Sequence, residues 1–479
     1  MRAFVSGVVW IGSLAGVAAQ VPQFSPFELP GFAFPMSNDF DTGDFDGDGD
    51  PDVTVISNLG PRVYRNDGSG VLTDVTATLP PLPGNQRTAA FVDVDGDGGA
   101  ELFATWSSAA RLFRWQSGGW VDLTNQLPPA LATVHSAVAA DVDQDGDQDL
   151  VCAGSWLDAG ADQLLLNDGA GTFTVALPFA GQSFQALVFD ADGDFDLDVV
   201  FARPGVHLWR NDGGGVFTDV SGTQLPPTLP SASFVTTGDV NGDGITDLFV
   251  GAAASTDRFL LNDGLGSFTL GNGLPGGIGS SNNCSLVDVD GDGDLDLWRG
   301  NSNHGVPTLL LNDGAGYFVN MPSRLPPIIA WASQADAADL DGDGDPELFL
   351  GGLGTSTMVL WNLHRHLANP LAPAPGTDWN LEIASQPGYG QVPRFGIVAV
   401  GLAPLPSPLT LPPWGDLRLD LATTGLFLAA AFQPFDGVQT VTISVPPIPQ
   451  LSGLPLFAQG LVEEPPSAHF TGLVATTIQ

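Results

Sequence analysis

Asp288-Val-Asp-Gly-Asp-Gly-Asp-Leu-Asp296 is written seven times in this chain, with small variations. The copies begin at Asp44, Asp93, Asp141, Asp190, Asp239, Asp288 and Asp339, at intervals of 48 to 51 residues. Acidic or amide side chains fall at loop positions 1, 3, 5 and 9, glycine usually stands at position 6, and an apolar run follows. Alternate acids around a tight turn converge hard oxygens on one cation, which suits calcium. An interval this regular marks a repeat architecture.

The oxygen ligands offered are Asp44, Asp46, Asp48 and Asp52 in the first loop, and Asp93, Asp95, Asp97 and Glu101 in the second. The third has Asp141, Asp143, Asp145 and Asp149; the fourth has Asp190, Asp192, Asp194 and Asp198. Asp239, Asn241, Asp243 and Asp247 serve the fifth loop, and Asp288, Asp290, Asp292 and Asp296 the sixth. The seventh has Asp339, Asp341, Asp343 and Glu347. With a carbonyl at position 7 and water, each loop reaches six or seven oxygens, so up to seven calcium ions are expected. An EF-hand would need Glu at position 12, where the first two loops have Val55 and Ala104. No His or Cys lies inside a loop, which disfavours zinc. Asn241 keeps an oxygen but drops a charge. Phe195 replaces the turn glycine in the fourth loop, and a bulky residue at positive φ is strained, so that site is expected to be the weakest.

Each repeat carries four short runs rich in β-branched and aromatic residues, as at Ala89–Val94, Leu295–Trp298, Thr308–Leu311 and from Tyr317-Phe318, and these read as strands. Asn-Asp-Gly turns at Asn66, Asn167, Asn211, Asn262 and Asn312 separate the third run from the fourth, and the reading is that these residues supply the positive φ of a tight hairpin. The second repeat has Trp115-Gln-Ser-Gly-Gly there, and the seventh Trp361-Asn-Leu-His. Leu-Pro steps such as Leu79-Pro80 and Leu325-Pro326 lead onward. Four antiparallel strands per unit describe a propeller blade, and seven units imply seven blades. The seventh repeat stops after its third strand, while Gln23-Phe-Ser-Pro-Phe-Glu-Leu-Pro30 resembles an orphan fourth strand. The N-terminal segment is therefore expected to close blade seven and remove an exposed sheet edge.

Repeats of Asp-x-Asp-Gly-Asp-Gly-x-x-Asp-Leu followed by Leu-Leu-Leu-Asn-Asp-Gly-x-Gly-x-Phe resemble the FG-GAP/VCBS family, which includes the integrin α-subunit propeller. The resemblance covers residues 22–366. It implies an all-β, seven-bladed β-propeller with calcium in the hairpin between the first and second strands of blades.

Composition agrees with a packed, exported protein. The formal charge is −40, from 54 acidic residues against 14 basic ones, all Arg, so nucleic acid is excluded as a partner. Hydrophobic residues make up 43% and charged ones 14%, which opposes disorder. Of the 54 acids, 32 sit at odd positions of the seven loops, where a metal neutralises them. Residues 1–19 read as a signal peptide, with Arg2, an apolar run and Val17-Ala-Ala19 at the cleavage site. No transmembrane segment follows. Cys152 and Cys284 are expected as two separate buried thiols.

The propeller is thus assigned to residues 20–366, a Pro-rich linker to 367–376 and a small β-sandwich to 377–479. Runs at Ile397–Val400, Leu417–Leu421, Leu426–Leu428 and Thr440–Val445 carry that last reading. Ile448-Pro-Gln-Leu-Ser-Gly-Leu-Pro-Leu-Phe-Ala-Gln459 is loosely similar to a module that ends exported bacterial proteins.

In this reading calcium is structural, and function lies on the opposite face. The topology places Arg87, Trp106, His135, Trp156, Arg203, His304 and Trp331 there, and Trp and Arg are favoured contact residues. A secreted, periplasmic or cell-surface binding or adhesion module with a protein or carbohydrate ligand is the leading expectation. A polysaccharide lyase or hydrolase and a purely structural surface component stand as alternatives. No catalytic constellation is evident: the chain has no Lys, and His364 and His366 have no evident carboxylate partner.

Overall fold

The structure is a computed structural model. It describes residues 10–11, 24–29, 37–57, 60–68, 71–82, 86–106, 109–129, 131, 133–154, 160–203, 205–252, 255–275, 281, 283–301, 306–326, 332, 334–341, 344–351 and 357–362. Beyond these it describes the strands between 367 and 477.

Seven four-stranded antiparallel sheets follow one another as the blades of a propeller. Blade one comprises Ser37–Gly43, Asp52–Ser57, Gly60–Arg65 and Thr73–Asp74. Blade two comprises Gln86–Val92, Glu101–Trp106, Ala109–Gln116 and Gly119–Asp122. Blade seven takes three strands from the end of the repeats, Gln334–Ala338, Glu347–Gly351 and Met358–Asn362. Its outer strand is Phe24–Glu28, paired Phe24 to Asn362 and Glu28 to Met358. The expected closure by the N-terminal segment is therefore what the chain does. The outward edge that Met358–Asn362 would otherwise present is paired along its length.

The core is divided among the seams. Seven apolar clusters among the described residues each join two neighbouring blades. Phe40, Val53 and Tyr64 of blade one, for example, pack on Leu340, Phe349 and Val359 of blade seven. A blade's second strand is covered on both faces, and Asp52–Ser57, Glu101–Trp106 and Asp149–Gly154 are buried at every position. That is why these strands read as unbroken apolar runs rather than alternating ones. The Leu-Pro steps sit just beyond single helical turns, Thr76–Thr78, Thr124–Gln126, Ser221–Gln224 and Pro322–Arg324. Each turn ends on a leucine in extended conformation, as the residue before proline requires.

Cys152 and Cys284 are both buried and unbridged, as two separate thiols. After blade seven, Leu367–Ala368, Asp378–Ala384 and Val438–Ser444 form a three-stranded sheet. Arg394–Gly401, Leu426–Phe432, Pro455–Glu464, Ser467–Thr477 and the short Trp10–Ile11 form a five-stranded one. No helix among the described residues is long and apolar enough to cross a membrane.

Candidate metal centre

Position 1 of each loop organises the turn. In the first loop Gly47 and Gly49 donate their N–H groups to Asp44 Oδ1 and Oδ2 at 2.7 and 2.8 Å. Asp93, Asp190, Asp239 and Asp288 accept the same pair of bonds. Positive φ is needed at position 4 as well as at position 6, which the sequence reading did not see. Gly47 and Gly49 stand at φ 75° and 91°. Gln144 at position 4 of the third loop (φ 61°) and Phe195 at position 6 of the fourth (φ 72°) take this conformation without being glycine.

Position 9 faces inward. Asp52 accepts from Phe45 N–H at 3.0 Å through Oδ2 and from Asn66 N–H at 2.8 Å through Oδ1. Asp149, Asp198, Asp247 and Asp296 repeat both bonds with Val142 and Asn167, Ala191 and Asn211, Val240 and Asn262, and Val289 and Asn312. The asparagine side chain then crosses the seam. Asn167 Nδ2 donates to Gln148 O in its own loop and to Val94 O, position 2 of the preceding blade's loop. Asn66, Asn211, Asn262, Asn312 and Asn362 reach Leu340, Val142, Ala191, Val240 and Val289 in the same way. By its composition the Asn-Asp-Gly motif predicts positive φ throughout. In the structure only its glycines have it, Gly68, Gly169, Gly264 and Gly314 among them, and the asparagine is an inter-blade fastener.

Burial, with neighbouring acids adding to it, pushes the position-9 carboxyls up: Asp52 and Asp198 to about 7, Asp149 and Asp247 to about 6, and Asp296 to about 8. Glu347 is also raised, by burial and then by Asp341 and Asp339. These loops hold more negative charge than their surroundings stabilise, and a proton or a cation must compensate.

A calcium ion fits the donor set. In at least five loops, three carboxylates present one oxygen each within 4.8 Å of one another, as in Asp141, Asp143 and Asp149 or Asp288, Asp290 and Asp296. Ligands 2.3–2.6 Å from one calcium ion lie no more than about 5 Å apart. At position 3, the Oδ1 atoms of Asp46, Asp95, Asp192 and Asp290 are shielded from solvent and receive no hydrogen bond. An acceptor buried without a donor is costly, and the same atom recurs at the same place in four loops. All the candidate ligands sit in the hairpins between first and second strands except Asp343, which lies outside the described residues, with position 9 opening the second strand.

On the opposite face, three of the expected contact residues serve the seams. Trp106 is buried against Ile56 and Ala89. His135 Nδ1 lies 2.8 Å from Phe184 O in the next blade. Arg203 donates to Ala180 O and stands 3.8 Å from Asp162. Asp162 was not singled out, yet it is buried and accepts from Gly154 N–H and Ser183 Oγ. Asp257 does the same with Ala252 and Ser281, and pairs with Arg299 at 2.9 Å. The only trace in the sequence was an aspartate just before a third strand. The Arg87 side chain, Trp156, His304, Trp331, His364 and His366 lie outside the described residues.

The family profile described as FG-GAP-like repeat matches residues 44–104, 100–152, 141–201, 190–250, 239–299 and 288–350. Solved structures similar to the chain include the extracellular domain of a hybrid two-component system from B. thetaiotaomicron, with 13% identity and TM-score 0.45 over 77% of this chain and 46% of that one. Another is the extracellular domain of a one-component system from the same organism, with 8% identity and TM-score 0.43 over 95% of this chain and 59% of that one. The chain thus spans about half the length of these structures. No curated protein matches it.

Proposed function

Since the chain belongs to the FG-GAP-like repeat family, we propose that it is an exported propeller in which calcium is a structural fastener and the face opposite the calcium loops binds a protein or carbohydrate ligand. The contrast between the two faces carries the binding reading. The connection between first and second strands is eight residues long in all seven blades. The connection between second and third strands ranges from one residue in blade four to eight in blades three and six. Variable loops held on an invariant scaffold are where recognition resides. The donor-less position-3 oxygens support calcium as the ion that holds the other face. Residues 1–19 act as the export signal in this reading, and residues 377–479 as an appended β-sandwich.

The test is a glycan and protein-ligand array with and without calcium, run beside a polysaccharide depolymerisation screen. Retention of a ligand without turnover, lost when the blade-three and blade-six connections are replaced by the one-residue connection of blade four, is the expected result. Release of reducing ends or unsaturated sugars would reassign the protein as a polysaccharide-cleaving enzyme.

A further inference from the structure

The second loop differs from its relatives in what faces its carboxylates. Leu102 pairs with Phe113 as Val53 pairs with Tyr64, so Trp115 occupies the place that Asn66 holds in blade one. The seam between blades one and two therefore lacks the amide fastener. Phe45, at position 2 of the first loop, packs instead on Trp115 and Trp120 with ring centroids 5.1 and 5.0 Å away.

The residue before Trp115 is Arg114, and its guanidinium spans the loop. Arg114 Nε donates to Glu101 Oε1 at 2.5 Å, and Nη2 lies 2.5 Å from Asp95 Oδ2. One cation-bearing side chain thus bridges positions 3 and 9. Leu166, Leu261 and Leu311 stand at the corresponding place in blades three, five and six. Arg65 and Arg210 hold that place in blades one and four, yet neither bridges positions 3 and 9: Arg65 lies 3.5 Å from Asp46 alone, and Arg210 bonds Asp212 beyond the loop. Arg324, from another element, reaches only position 3 of the sixth loop, 3.0 Å from Asp290. The second loop also has Gly99 at position 7, where Asp50, Asp147, Asp196, Asp294 and Asp345 add a charge elsewhere.

We propose that Arg114 takes the cation's place in the second loop, so that blade two is held by a guanidinium while loops without such a bridge take calcium. A planar fork bonded to two carboxylates supplies directional, charge-assisted bonds, and it repels a divalent ion seeking the same oxygens. Asp93, Asp95 and Glu101 still present oxygens within 4.8 Å of one another, and Asp95 Oδ1 still lacks a donor. Removing the guanidinium therefore uncovers a complete donor set. The inference rests on the calcium reading given above.

Calcium bound per chain, measured by equilibrium dialysis on the full-length protein after stripping and reloading, tests it. Arg114→Leu is expected to bind one equivalent more than wild type. Leu166→Arg, which puts an arginine at the place of Arg114 in blade three, is expected to bind one fewer. Folded variants that both bind the wild-type number overturn the inference while leaving the calcium reading intact. Should Arg114→Leu fail to fold, an unchanged count in Leu166→Arg overturns it alone. A wild-type protein that binds no calcium overturns the calcium reading and this inference with it.

Discussion

Gln144 in the loop of blade three donates from Nε2 to the carbonyl oxygen of Phe195 in the loop of blade four, at 2.8 Å. These two residues hold the left-handed backbone that glycine holds at the equivalent described positions of the other loops. The same amide also reaches Asp196 Oδ1 at 2.8 Å. Two departures from the loop pattern, 51 residues apart, are therefore bonded to each other across a seam.

Phe195 is 84% exposed, so its ring contributes little packing to set against its backbone strain. Relief of about 1–2 kcal/mol of left-handed strain, less about 0.5–1 kcal/mol for glycine's freedom in the unfolded chain, predicts that Phe195→Gly stabilises the protein by roughly 0.5 kcal/mol. Gln144→Gly relieves similar strain but loses both inter-blade bonds, and is expected to bring no gain. Urea unfolding of the two variants checks the ordering. A destabilised Phe195→Gly would show that the exposed ring has a packing partner.

Chelation with EGTA is expected to lower Tm substantially, because three to five carboxylates per loop then face one another without a counter-charge. An unchanged melting curve would sink the structural role of calcium.

The chelated protein should also respond to pH in a direction that the buried position-9 acids set. Asp52 is raised to about 7 and Asp296 to about 8, mainly by burial, above ordinary carboxyl values. Between pH 4 and 8 the folded state therefore holds more protons than the unfolded one, and stability falls as pH rises through that window. Calcium replaces those protons, so the gap in Tm between loaded and chelated protein should widen from pH 5 to pH 8. A gap that narrows would contradict the assignment.

Asn262→Ala removes one buried and one half-buried bond and leaves the Ala191 and Thr246 carbonyls without this donor. A loss of about 2–4 kcal/mol is expected, since each unsatisfied buried group costs about 1–3 kcal/mol. Asn262→Asp should be worse despite its equal size, because a carboxylate then faces two carbonyl oxygens. Denaturant midpoints that rank the variants the other way would refute the fastener role.

Deleting residues 20–30 removes the strand Phe24–Glu28 and leaves Met358–Asn362 as an open edge. Self-association by edge pairing is the expected consequence, read by light scattering during size exclusion. Phe24→Ala keeps the strand but empties a buried site between blades six and seven, at a cost of about 3–5 kcal/mol.

Much of the molecule was legible because its signals are local or periodic. Acids at alternate positions show a loop, an interval near 49 residues shows a blade, and a missing last strand matched by an orphan first one shows the closure. The inverted roles at Asn167 and Trp115 were not legible. Asparagine before Asp-Gly satisfies a turn rule and a seam rule equally well, and only the bond to Val94, 73 residues away, separates them. Trp106, His135 and Arg203 had the right chemistry and side of the ring for ligand contact, yet each is taken up by packing or bonding between blades.

By itself, then, the sequence determined the all-β class, the seven blades, the N-terminal strand that closes the last, and the family of oxygen-rich loops, because each depends on spacing along the chain. The tertiary structure alone decided which side chains face those loops. Arg114 lies 13 and 19 residues from Glu101 and Asp95, and Gln144 and Phe195 belong to different repeats. Their meetings follow from hairpin register and blade stacking, which bring third strands and neighbouring loops together at hydrogen-bonding distance, and no local pattern encodes that geometry.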